Sequence, residues 1–278
     1  MSAPVVLRNR RFAAVWAGQF LTQAAARLYQ VGIVWWLVGL TGGAAPGRQA
    51  GVLLMAATLP AVLLVPLSSR LIARWDRRGV LAGAAGAAGA VGLIATACAA
   101  LSSGAALPFA ALCLVAVALA SCQAVFDPCL TTSIPELVSD EDIEAATGFQ
   151  LATQSVAGLA GGFLGPLIVE GLGAAGLFAA CAAAYLAAAG LVGARRFPYP
   201  APRGITGSAA PRPWDVLRRL PTVRTMLLCF TAANFFTTAV FVLMPLFART
   251  VLHTSGAAVS VFEAALGAGT ILGAAVGP

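Results

Sequence analysis

The sequence predicts an all-α membrane protein, and three observations predict it. Apolar runs recur along the chain, each about long enough to cross a bilayer core of about 30 Å, which takes roughly 20 residues per helix. Apolar residues make up 60% of the chain and charged residues 10%, against about 25% charged in a soluble domain. No single globular core could hide that much apolar surface, so lipid is the fitting solvent. The arginines, finally, fall almost entirely in alternate gaps between the runs.

Seven complete runs and the start of an eighth follow in order: 12–40, 49–71, 80–101, 107–126, 143–169, 172–192, 225–248 and 257–277. Arg8, Arg10 and Arg11 precede the first run, which is far too long for the apolar segment of a cleavable signal. It is therefore read as an anchored span and as its own insertion signal. Arg70, Arg74, Arg77 and Arg78 fill the gap after span 2. Arg195, Arg196, Arg203, Arg212, Arg218, Arg219 and Arg224 fill the gap after span 6. The opposite gaps hold only Arg48 and Arg249, and Arg27 lies inside span 1. Fourteen arginines against two, by the positive-inside rule, predict a cytoplasmic N-terminus in a multi-pass inner-membrane protein.

After span 4 the gap is acidic and reads as a helix start, with Ser139 as cap and Asp142 three residues on. Span 5 carries Gln150, Gln154, Gly158, Gly161 and Gly165 on one face. Glycines there let a neighbouring helix come close, and Pro166 should bend the outer end. Residues 195–215 are rich in proline, glycine and arginine and cannot pack a core. They divide the chain into a six-span bundle (1–194), a cytoplasmic linker (195–215) and the beginning of a second bundle (216–278). Six spans, a linker and further spans is the plan of a two-bundle transporter.

The net charge of +7 comes wholly from arginine. These arginines flank membrane spans and are not gathered with aromatics on a soluble face, so a nucleic-acid partner is excluded. The six cysteines form no C-x-x-C pair and His253 is the single histidine. The cysteines read as small packing residues. No metal site, cofactor site or convergent catalytic set is present, which excludes an enzyme.

The polar residues inside the spans are the candidate functional ones. Gln19, Gln23, Arg27 and Gln30 occupy offsets 0, 4, 8 and 11 of span 1. At 100° per residue they fall within about 80° of one another, one narrow stripe on an apolar helix. A central arginine costs about 2.5–3.5 kcal/mol to insert, so Arg27 must face a wet cavity or an acidic partner. It serves either a transport pathway or a structural pair. Span 4 offers Gln123 and Asp127, four apart. Span 7 offers Asn234, Thr237 and Thr238. Span 8 offers Glu263, the candidate proton carrier, since a carboxyl held in a low dielectric binds a proton more readily. Its alternative is a salt bridge.

At these residues the chain resembles the major facilitator superfamily, in particular its drug and siderophore exporter branch, related to macrolide-efflux and enterobactin-exporter proteins. The likeness rests on Asn9-Arg-Arg-Phe12 through Trp16-Ala-Gly-Gln19, Trp35-Trp36 and Leu40-Thr-Gly42. It continues in Arg74-Trp-Asp-Arg-Arg78, Phe126-Asp-Pro128, Ile134-Pro-Glu-Leu-Val138 and Gly161 to Gly165-Pro166. Ser69 and Ala73 depart from the pattern, where the family has glycine and aspartate. The resemblance implies two six-helix bundles about a midplane cavity, and proton-coupled export of a small drug-like or siderophore-like molecule by alternating access. It points to Gln23, Arg27, Gln30, Gln123, Asn234 and Thr237 as the cavity, to Arg74, Asp76, Arg77 and Arg78 as a gating loop, and to Gly161, Gly165 and Pro166 as the span 5 motif. The partners implied are a small-molecule substrate, the lipid bilayer and protons. The family has twelve spans, so spans 9–12 are expected in the same chain or another. A transport-incompetent remnant or partner subunit, and a lysophospholipid or nutrient transporter, are the alternative readings.

Overall fold

A computed structural model describes residues 10–40, 46–102, 107–138, 142–194 and 217–276. Among them there is no strand. Among the described residues the main helices run in order: α1 (Arg10–Leu40), α2 (Pro46–Leu63), α3 (Val65–Arg74), α4 (Arg77–Leu101), α5 (Phe109–Leu137), α6 (Ile143–Gly193), α7 (Pro221–Thr250) and α8 (Gly256–Val276). The predicted all-α class is what the chain forms. The linker at 195–215 and Ser139 lie outside the described residues.

Two predicted spans differ in form. Span 2 is two helices, α2 and α3, bent by 47° at Leu64. Pro66 sits in the first turn of α3, where its missing N–H and its ring cannot continue the preceding helix. Spans 5 and 6 form α6, whose 51 residues are helical except at Gly173, with φ 68° and ψ −169°. That backbone region belongs essentially to glycine. The chain folds back there. Gly161 lies against Ala24 and Leu28 of α1, and the Cys181 Sγ–H donates to the Ala25 carbonyl at 3.6 Å. Twenty residues of straight helix would hold those two points about 30 Å apart. Pro166 lies within the helix, and the break is at Gly173. The N-cap of α6 is Asp142, without a side-chain capping bond.

Contacts give each helix a direction. Along α1, Gln19 bonds the Gln150 carbonyl, while Gly165 faces Leu28 and Gly32, so α1 and the first half of α6 run parallel. The second half runs against α1, with Val192 beside Gly18 and Phe178 beside Tyr29. It also runs against α4, with Leu186 at Gly89 and Ala182 at Gly92. Tyr29 meets Leu112 and Gln23 meets Asp127, so α5 is antiparallel to α1. Glu170 meets Gly256 and Leu159 meets Gly267, so α8 is antiparallel to the first half of α6. These helices therefore alternate in direction, and the start of α1, the start of α4, the end of α5 and the end of α6 lie at one end.

The packing core is α1, enclosed mainly by both halves of α6. Its buried side chains include Ile33, Trp35, Leu177, Phe178 and Tyr185. Outward-facing surfaces stay apolar: Val62 is 73% exposed, Phe235 72% and Leu114 70%. Apolar patches this extensive are a liability in water and a solvent match in lipid. Among the described residues Arg77–Leu101, Phe109–Ile134 and Ala145–Gly193 are long and apolar enough to cross a membrane, and the bent α2–α3 pair makes a fourth. The chain is a membrane protein.

Candidate functional site

The polar stripe of α1 lies against a different helix at each depth. Gln19 is buried and donates to the Gln150 carbonyl at 3.3 Å. Gln23 donates to Asp127 Oδ1 on α5 at 2.9 Å. Arg27 donates to Glu263 Oε2 on α8 at 3.0 Å, and to Gln30 Oε1 at 3.1 Å. The acidic partner that an intramembrane arginine requires is thus Glu263. That carboxylate is 4% exposed, and its second oxygen, Oε1, has no hydrogen-bond partner among the described residues.

Two cavities flank this stripe. The first, of about 240 Å³, lies between α1, α2 and α5, with Tyr185 of α6 at its wall. Its polar lining is Gln30, Thr58, Gln123 and Asp127, with the two tyrosines Tyr29 and Tyr185; alanine, leucine and isoleucine form the rest. The second, of about 230 Å³, lies between α1, the first half of α6 and α8. Arg27, Gln154, Ser155 and Glu263 supply its polar atoms.

Asp127 is the residue that sequence reasoning leaves out of the cavity. It joins α1 to α5, since Gln123 also donates to its Oδ1, at 2.7 Å. The four-residue spacing of Gln123 and Asp127 is the signal that could have found it. Asn234 is exposed and donates to the Phe230 carbonyl of its own helix at 2.8 Å; it lines neither cavity. Thr237 lies on α7, and its side chain is outside the described ones.

Gly161 and Gly165 sit where α6 touches α1. A Cβ on Gly161 would stand 2.8 Å from the Leu28 nitrogen, and one on Gly165 2.9 Å from the Leu28 carbonyl oxygen. Only glycine allows that approach. Gly158 has open space beside it and borders the second cavity.

At the arginine-rich end, Asp76 caps α4 by accepting from the Gly79 N–H at 3.3 Å. Arg77 donates to the Thr132 carbonyl near the end of α5, and Arg78 to the Gly193 carbonyl at the end of α6. Guanidinium groups suit such carbonyl-rich helix ends, which carry partial negative charge. Arg74 is exposed on the last turn of α3. At the opposite end, Arg249 lies 4.8 Å over the Trp35 ring and donates to the Trp35 carbonyl at 3.4 Å. Glu170 there accepts from the Gly256 N–H that opens α8. Among the described residues no group of histidine, cysteine or carboxylate could hold a metal.

A lipid-facing helical bundle with a buried charge pair and polar-lined cavities at its centre is the architecture of a membrane transporter. The chain belongs to the major facilitator superfamily, whose sequence pattern matches residues 15–278. None of the curated proteins matches it.

Proposed function

We propose that this transporter exports a small drug-like or siderophore-like molecule by alternating access, driven by proton entry. The Arg27–Glu263 pair carries the reading. It ties α1 to α8 beside a cavity, and one carboxylate oxygen is left without a donor. A proton arriving on Glu263 removes the charge that holds Arg27, so α1 and α8 can part. Loss of the proton restores the tie. Charged groups within membrane helices pair in this way, and they mark proton and substrate pathways.

Gln23, Arg27, Gln30 and Gln123 face the substrate in this scheme, together with Asn234 and Thr237 once α7 closes. Arg77 and Arg78 hold the arginine-rich ends of α5 and α6 together with α4, which supports a gating role for the loop of Arg74, Asp76, Arg77 and Arg78. The bundle division at the 195–215 linker, a cytoplasmic N-terminus and an inner-membrane location complete the reading. Support for the orientation is the placing of fourteen arginines in alternate gaps of the sequence.

The test is transport by the full chain in proteoliposomes with an imposed pH gradient. Labelled drugs and a labelled lysophospholipid are offered in parallel. The wild type moves a drug against its gradient, and Glu263→Gln loses its response to the pH gradient. Undiminished proton-driven efflux by Glu263→Gln would overturn the coupling. Movement of the lysolipid alone would replace the substrate class.

A further inference from the structure

We propose that the first cavity is a binding site for a small organic cation, with Asp127 as the residue that selects it. The proposal rests on the transporter reading above and narrows its substrate to amine-bearing molecules, against anionic ones.

Charge placement carries the inference. Arg27 and Gln30 share the α1 stripe, yet they face different spaces. Arg27 borders the second cavity and not the first, and Glu263 pairs with it there. Gln30 and Asp127 border the first, and among the described residues no basic side chain lines that cavity. Asp127 makes no ion pair among the described residues. Gln23 and Gln123 both donate to its Oδ1, and neither can cancel its charge. The two amides fix the carboxylate in place and leave Oδ2 without a donor among the described residues. The first cavity thus holds one fixed negative charge, and the second holds a balanced pair.

A carboxylate inside a membrane protein needs a compensating charge or a proton. A substrate ammonium meets that need, while an anion is repelled. Tyr29 and Tyr185 add aromatic surface to the same wall, and ring faces attract ammonium groups. The remaining alanine and leucine lining suits an apolar body. At about 240 Å³ the cavity is below the roughly 300–1,000 Å³ of drug-sized pockets. It fits an aryl-alkyl ammonium group, not a whole macrocycle.

The test is equilibrium binding of labelled benzyltrimethylammonium to the full chain in nanodiscs. Competitors are neopentylbenzene, its uncharged isostere, and benzenesulfonate. Benzyltrimethylammonium is expected to bind, with both competitors at least tenfold weaker. Asp127→Asn, which keeps the shape and removes the charge, is expected to lower cation affinity tenfold or more. Absence of cation binding to the wild type, equal competition by the isostere, or unchanged cation affinity in a folded Asp127→Asn protein would each overturn the proposal. If Asp127→Asn does not fold, wild-type selectivity between the cation and its isostere decides alone. Binding needs no transport: charge-selective binding without flux would fail the export reading and leave the site standing. Flux without cation binding would fail the site and leave export standing.

Discussion

Arg27 and Glu263 stand 236 positions apart and meet at 3.0 Å. Each alone would be a buried, uncompensated charge. Removing one partner of such a pair typically costs about 3–5 kcal/mol, whereas replacing both with apolar groups of similar size is near neutral. Arg27→Met is therefore expected to lower thermal stability in detergent sharply. Adding Glu263→Leu should restore it to within about 1 kcal/mol of wild type, with proton-driven transport absent. A thermal-shift series on the two single variants and the double variant checks this. Full additivity of the single losses would show that the side chains do not interact.

Glycine positions decide how the helices meet. Gly161 touches α1 so closely that even a methyl group collides with the Ala24 carbonyl and the Leu28 nitrogen. Gly161→Ala should destabilise by about 1–3 kcal/mol, the usual range for overpacking. Gly158→Ala, three residues away with open space beside it, should change stability little. At the turn between the two halves of α6, Gly173→Ala should cost about 1–3 kcal/mol because its backbone angles exclude a side chain. Denaturation midpoints of the three variants rank these effects. Equal midpoints for Gly161→Ala and Gly158→Ala would contradict the packing. At this scale the sequence is readable where a rule is local. Apolar length places α1, α4, α5, α7 and α8 but not the division of span 2 into α2 and α3, and the shared face of Gly161 and Gly165 predicts a close neighbour. It does not name α1 as that neighbour. Pro60 and Pro66 in span 2 were visible too, but whether a proline bends a span depends on what packs beside it.

Over the whole molecule, α7 and α8 meet the rest of the chain at the arginine-poor end and at mid-depth. Arg249 lies on Trp35, Gly256 on Glu170, Ser260 on the Phe163 carbonyl and Glu263 on Arg27. Residues 221–236 of α7 are exposed throughout. Alternating access requires some of these contacts to separate. A Cβ at Gly267 would lie 2.8 Å from the Leu159 Cβ, so after slight relaxation toward the disulfide spacing of about 3.8 Å the pair can be bridged. Leu159→Cys with Gly267→Cys, with the six native cysteines replaced, should cross-link under oxidation, stop transport and regain it on reduction. Full activity in the cross-linked state would mean that α6 and α8 move as one body.

The sequence by itself determined the all-helical class, the order of the spans and the segregation of arginine, because hydropathy and helical period are properties of neighbouring residues. It also placed Gln23, Arg27 and Gln30 on one stripe, for the same reason. Only the tertiary structure decided that Arg27 pairs with Glu263, that Asp127 gathers two glutamines, and that the stripe separates a cavity bordered by Asp127 from one bordered by the Arg27–Glu263 pair. Those facts depend on which helices lie side by side. In a membrane helix apolar faces are nearly interchangeable as neighbours, so packing shape and a few polar contacts choose among them.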